Sequence, residues 1–136
     1  DLALPVAAIC SKVEIFGVYT PMERAQFAAG TPSKFVIYTE VENFSSQLNP
    51  GGKWETKLSL ELNLYTESGF AAIKPIRLNF SDSSRARRRD FFLCRLIELP
   101  GNLNVGPYTV KLTVIDQDTN RVAETSVPME IIAGAP

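Results

Sequence analysis

The sequence has 136 residues, 45% hydrophobic and 21% charged, with 14 basic against 15 acidic side chains and a net charge of -1. A chain of this length closes one core but hardly two. No run approaches the roughly 18 apolar residues of a membrane helix, and the near-neutral balance gives no whole-domain attraction for nucleic acid. There is no histidine, which removes Ser-His-Asp and Cys-His nucleophiles and every imidazole metal ligand. No Gly-rich phosphate-binding motif occurs.

Residues 1–9, DLALPVAAI, are rich in Ala, Leu and Pro without turn or charge pattern, and are expected to be a linker or a processed end. From there the apolar pattern has period two. Strands are expected at 12–18, 35–44, 57–65, 70–80, 89–99, 108–116 and 123–132, seven in all. In 35–44, Phe35, Ile37 and Val41 share one face, while Tyr38, Glu40 and Glu42 share the other. Leu58, Leu60, Leu62 and Leu64 alternate with polar residues, and Tyr108, Val110, Leu112 and Val114 follow the same logic. With Val127 and Met129 these residues form the expected core.

The segment 21–30 hints at one helical turn, and no longer helix is written. Pro75 and Pro128 should mark edges or breaks, because proline cannot donate to a ladder. Turn residues recur every 10 to 20 positions or so, the interval of an antiparallel sandwich rather than of alternating strand and helix units. The sandwich domain is therefore placed at 10–132, with 133–136 as a tail.

Tyr108 opens the penultimate strand just after Gly106-Pro107. There a phenol can bury its ring and return its hydroxyl to the preceding loop. This looks like the tyrosine corner of immunoglobulin-like sandwiches, so the fold class is all-β, an immunoglobulin-like antiparallel β-sandwich of about seven strands. The segments YTPMERAQFAAG, VIYTEVENF, RARRRDFFLCRLIELP and GPYTVKLTVIDQDTNRVAETSVPMEI together resemble a C-terminal all-β module of large, mostly uncharacterised bacterial proteins. The resemblance rests on strand patterns and implies a fold but no activity.

Five features are weighed for chemistry. Cys10 and Cys94 allow one disulfide, closing a loop of about 84 residues and worth ~4 kcal/mol, or two reduced thiols of which Cys94 packs as a small core residue. Glu40 and Glu42, about 7 Å apart on one strand face, lack the pocket that acid-base work needs and read as a solvated or salt-bridged surface. The run Arg85, Arg87, Arg88, Arg89 is a candidate anion or partner site. Its competing reading is intramolecular, with Arg88 paired to Glu40 or Glu42 across neighbouring strands. Asp116, Asp118 and Asn120 copy the start of a calcium loop, but Arg121 stands where glycine and Val127 where glutamate is needed, so a hairpin turn explains them. Trp54 and Tyr65 are a candidate platform for glycan stacking, against packing of Trp54 at the edge of the core.

The expected function is a noncatalytic structural or protein-interaction module of a larger bacterial protein, without cofactor or metal. The alternative is an accessory ligand-binding domain for an anionic polymer or a glycan. The expected partners are other domains of the parent chain, or a polysaccharide, with no nucleic acid and no membrane insertion. The sequence does not fix the compartment, an extracytoplasmic one being favoured.

Overall fold

A computed structural model describes residues 1–134. Ten strands occur in chain order: β1 (Ala3–Ile15), β2 (Val18–Pro21), β3 (Gln26–Ala28), β4 (Ser33–Glu42), β5 (Gln47–Leu48), β6 (Trp54–Thr66), β7 (Ile76–Ser84), β8 (Phe91–Leu99), β9 (Gly106–Asp116) and β10 (Val122–Ile132). They build two packed sheets. The first has the order β2-β1-β4-β8, and the second runs β3-β10-β9-β6-β5 with β7 also paired to β6. Every pairing is antiparallel except that of β3 with β10.

Alternation sets the register. Leu60 of β6 faces Val114 of β9, and Leu62 faces Leu112, so the apolar residues of neighbouring strands point to the same side. The first sheet answers with Phe35, Ile37 and Val41 from β4, Ile9 from β1, and Leu93, Ile97 and Leu99 from β8, all buried. Of the expected core residues only Val127 is not fully buried; it is half-buried and packs against the cluster. Every buried side-chain nitrogen or oxygen among the described residues has a hydrogen-bond partner, as a native core requires.

The departures from the sequence reading each have a physical cause. The expected linker at 1–9 is instead largely strand: β1 begins at Ala3, and its residues from Ala3 to Cys10 pair with β4. The run shows no clean alternation because its ladder to β4 is irregular between Ala3 and Val6, while Leu4, Ala7 and Ile9 pack on the core. The strand expected at 12–18 is a hairpin, because Gly17, at φ 76°, turns the chain between β1 and β2. The helical turn expected at 21–30 does not form. The chain passes there from the first sheet to the second, and β3 buries Phe27 beside β10.

Pro75 ends an irregular stretch, so the strand expected at 70–80 begins at Ile76 and runs on through the polar residues Ser81 to Ser84. As an outer strand β7 tolerates that polarity. Pro128 lies within β10 opposite Thr109, at a level where the other side of β10 has no partner until β3 joins at Glu130. Of the tail expected at 133–136, residues 133 and 134 are non-strand, and 135–136 lie outside the described residues.

Tyr108 is buried and its hydroxyl donates to the carbonyl of Asn104 at 2.7 Å, so the corner forms as expected. Leu60→Ala or Leu112→Ala should cost ~2 to 5 kcal/mol, and Tyr108→Phe about 1 kcal/mol, both read from urea unfolding. Values typical of surface substitutions would contradict this assignment of the core.

Candidate functional site

One pole of the sandwich gathers the ends of both sheets. The loop from β4 to β5 crosses between the sheets there, and the 85–90 loop joins β7 to β8. The turn 117–121 closes the β9–β10 hairpin at the same end. Asp116, 1% exposed, ties these pieces together. Its carboxylate accepts the Ser45 amide at 2.6 Å, the Ser45 hydroxyl at 2.9 Å and the Asp118 amide at 3.0 Å. Short bonds to a charged acceptor offset the cost of burying it. Asn120, at φ 59°, completes the turn by donating its amide to the Asp116 carbonyl at 2.7 Å. The calcium-like spacing is thus a hairpin turn with its first carboxylate already engaged. Among the described residues no three Cys, Asp or Glu side chains gather in a metal-holding group.

Around this turn opens a cleft of about 560 Å³ lined by Arg87, Arg88, Arg89, Arg121, Asp1, Asn43 and Phe44. Three of the four arginines of the run therefore meet there, joined by Arg121 from a distant part of the chain, while Arg85 lies outside. Arg88 is held by Asp82 of β7, which corrects the expected pairing with Glu40 or Glu42. The reason lies in the register. Phe91 of β8 faces Val41, and Phe92 faces Glu40, so Arg88 falls beyond the end of β4 and reaches back to β7 instead. Arg87 sits over the ring of Trp54 at 5.4 Å, a cation–π contact. Among the described residues Arg85, Arg87, Arg89 and Arg121 form no ion pair with a carboxylate.

Trp54 and Tyr65 do not meet. They stand at opposite ends of β6 and on opposite faces, eleven positions or about 36 Å apart, and Arg87 covers the tryptophan ring. A shared glycan platform is therefore not present. Cys10 and Cys94 are free. They lie on β1 and β8, which flank β4, opposite Val36 and Tyr38 respectively. Two strand spacings, about 9.6 Å, exceed the roughly 4.4 to 6.8 Å between Cα atoms that a disulfide spans.

The outer faces of the two sheets differ in a way that the sequence did not reveal. On the second sheet Glu61 pairs with Arg77, and Lys111 with Glu124 at 2.9 Å. On the first sheet one outer row is likewise an ion pair, Lys34 with Glu98 at 4.0 Å, but the rows beyond it across β1, β4 and β8 read Cys10, Val36, Leu96, then Ala8, Tyr38, Cys94, then Val6, Glu40, Phe92. The β1–β2 hairpin folds over this face. Tyr19 stacks on Tyr38 at 4.3 Å, Phe92 packs against Tyr38 at 5.6 Å, and Phe16 lies 6.3 Å from Phe92. Tyr38 is consequently fully buried outside the main core. Its hydroxyl donates to Glu40 at 2.6 Å and accepts the Gly17 amide at 2.9 Å. The signal for this was the aromatic content of the strand's outward positions.

Burial, followed by the hydrogen bond to Glu40, pushes the Tyr38 phenol up to about 12 from its usual 10. Burial, with the neighbouring Cys94 adding to it, also pushes the Cys10 thiol up. Arg95, on the inward side of β8, leaves the core at the open side of the sandwich and rests over Phe80 of β7 at 5.4 Å. An inward-pointing charge of this kind blunts an edge strand against pairing with another chain. The chain matches no family model and no curated protein, and among the described residues no helix is long and apolar enough to cross a membrane.

The folded state holds the Tyr38 proton more tightly than the unfolded chain does. This contribution to stability is fully present below pH 10 and is lost as pH rises to about 12. Chemical denaturation across that range should show the wild type losing stability more steeply than Tyr38→Phe; parallel curves would contradict the buried phenol. In native protein a thiol reagent should label Cys94 well before Cys10, which is fully buried, and equal rates would place Cys10 at the surface.

Proposed function

We propose that the chain is a noncatalytic, immunoglobulin-like interaction module of a larger bacterial protein, docking against another protein domain through the side that carries the β1–β2 hairpin. The strand order supports the immunoglobulin-like part: β1-β4-β8 facing β10-β9-β6-β7 matches strands A-B-E against G-F-C-C′. Tyr108 opens the strand equivalent to F, where the tyrosine corner belongs.

The observation that carries the interaction reading is the set of exposed apolar side chains around the β1–β2 hairpin. Four of the nine large apolar side chains that stand most exposed lie on the hairpin side: Ile15 at 62%, Leu96 at 52%, Val18 and Phe16. The opposite face carries the pairs Glu61–Arg77 and Lys111–Glu124, with Val122 and Ile132 exposed on β10. Several exposed apolar side chains around one hairpin mark a surface able to meet another. The absence of histidine from the sequence removes the commonest general base. Because Arg95 guards the edge of β8, docking proceeds through side-chain packing on the face rather than by adding a strand.

Photo-crosslinking side chains placed at positions 15, 18 and 96 of the parent protein should capture a neighbouring domain, and ones at 113 and 126 on the polar face should not. Leu96→Lys should abolish the crosslink formed from position 18 while changing stability by less than about 0.5 kcal/mol. Equal capture from both faces, or none from the hairpin side, would contradict the reading.

A further inference from the structure

The arginine cleft calls for a different ligand from the apolar side of the molecule, and it stands independently of the docking reading. Three of its cations, Arg87, Arg89 and Arg121, have no carboxylate partner among the described residues, and the fourth, Arg88, is neutralised by Asp82. Arg121 comes from the β9–β10 turn and is brought to the others by the Asp116 hydrogen bonds, so the convergence is a product of the fold and not of one basic run. Unpaired guanidinium groups around one opening repel each other. The arrangement gains most from an anion whose planar or tetrahedral oxygens match their forked donors.

The other wall narrows the choice. Asp1 offers only acceptor atoms in its side chain, and Asn43 donates one of its two side-chain N–H groups to the Asp1 carbonyl at 2.8 Å, leaving its oxygen as an acceptor and the other N–H as a donor. A ligand that satisfies both walls carries oxyanions on one side and hydroxyl donors on the other. Of the aromatic rings nearby, Trp54 lies under Arg87, and Phe44 meets Phe91 edge-on at 5.4 Å. Phe44 is the one aromatic side chain lining the cleft, where a nucleic-acid binder stacks successive bases on several. At about 560 Å³ the opening is larger than a lone oxyanion needs and lies in the range of ligand-sized sites.

We infer that this cleft binds a segment of an acidic glycan, its carboxylate or sulfate groups held by Arg87, Arg89 and Arg121 and its hydroxyls by the oxygens of Asn43 and Asp1. The whole chain would be titrated with oligogalacturonate and with dextran sulfate. Methyl-esterified oligogalacturonate would serve as the uncharged control, with poly-glutamate and a single-stranded thymidine oligonucleotide as the other polyanions.

The expected result is binding of the acidic sugars that weakens with salt, with no binding of the ester. Arg121→Ala and Arg87→Ala should each reduce affinity about tenfold or more, and Arg85→Ala, an identical loss of charge outside the cleft, should change it less than about twofold. All three side chains are exposed, so Arg85→Ala and Arg121→Ala should melt as the wild type, and Arg87→Ala slightly lower through loss of its contact with Trp54, each with a cooperative transition that shows it folds. Absence of binding at low salt would overturn the proposal, as would equal losses from Arg85→Ala and Arg121→Ala. Binding of poly-glutamate or the oligonucleotide as tight as that of the acidic sugars would overturn the assignment to a glycan.

Discussion

The buried carboxylate of Asp116 is the contact on which the functional end of this sandwich depends. Each sheet is internally determined by its ladder and by alternation, but nothing in alternation fixes how the crossing loop after β4 meets the hairpin turn after β9. Asp116 does this with three short hydrogen bonds to Ser45 and Asp118, and Ser46 extends the link through Thr56 of β6 at 2.7 Å. Asn43, Phe44 and Arg121 are then placed by the same few atoms. An arginine 32 residues beyond the end of the basic run can share a cleft with it only because this corner is rigid.

The molecule also divides its polar and apolar surface by sheet. The second sheet offers water its paired charges, and its Leu-rich inner face supplies much of the core. The first sheet carries apolar rows on both sides, with the Lys34–Glu98 ion pair at one end of its outer face. Its outer face is partly sealed by its own hairpin, with Tyr19, Tyr38 and Phe92 stacked and the Tyr38 hydroxyl satisfied by Glu40 and Gly17. This small outer cluster leaves Ile15, Val18 and Leu96 uncovered. The open side of the sandwich is managed differently, with Arg95 laid over Phe80 so that β8 and β7 do not present a bare apolar edge.

Much of the fold was legible because period-two alternation is a strong local signal in β4, β6 and β9, whose inner residues are those that the pattern selects. Tyr108 was legible for the same reason: one residue type after one Gly-Pro turn has a single good use. What escaped depended on residues far apart in the chain. The strand character of residues 3–9 required β4 as a partner, and β3 required β10. The burial of Tyr38 on a face that alternation assigns to solvent required a hairpin folded over it. Within the candidate site the basic run was visible and Arg121 was not, because no local pattern announces that a hairpin turn and a distant loop share one pole. The expected link of Arg88 to Glu40 or Glu42 failed because residue parity was extended past the point where β4 ends.

The central claim, that Asp116 fixes the corner on which the cleft stands, is tested most directly by amide hydrogen exchange at Ser45 in the wild type and in Asp116→Ala. The account predicts that the Ser45 amide, in a loop yet bonded to a buried carboxylate, exchanges far more slowly than other loop amides, and that the substitution removes this protection together with that of Asp118 while the β6–β9 ladder stays protected. A Ser45 amide that exchanges as fast as an exposed loop in the wild type, or that is unchanged by the substitution, would contradict it.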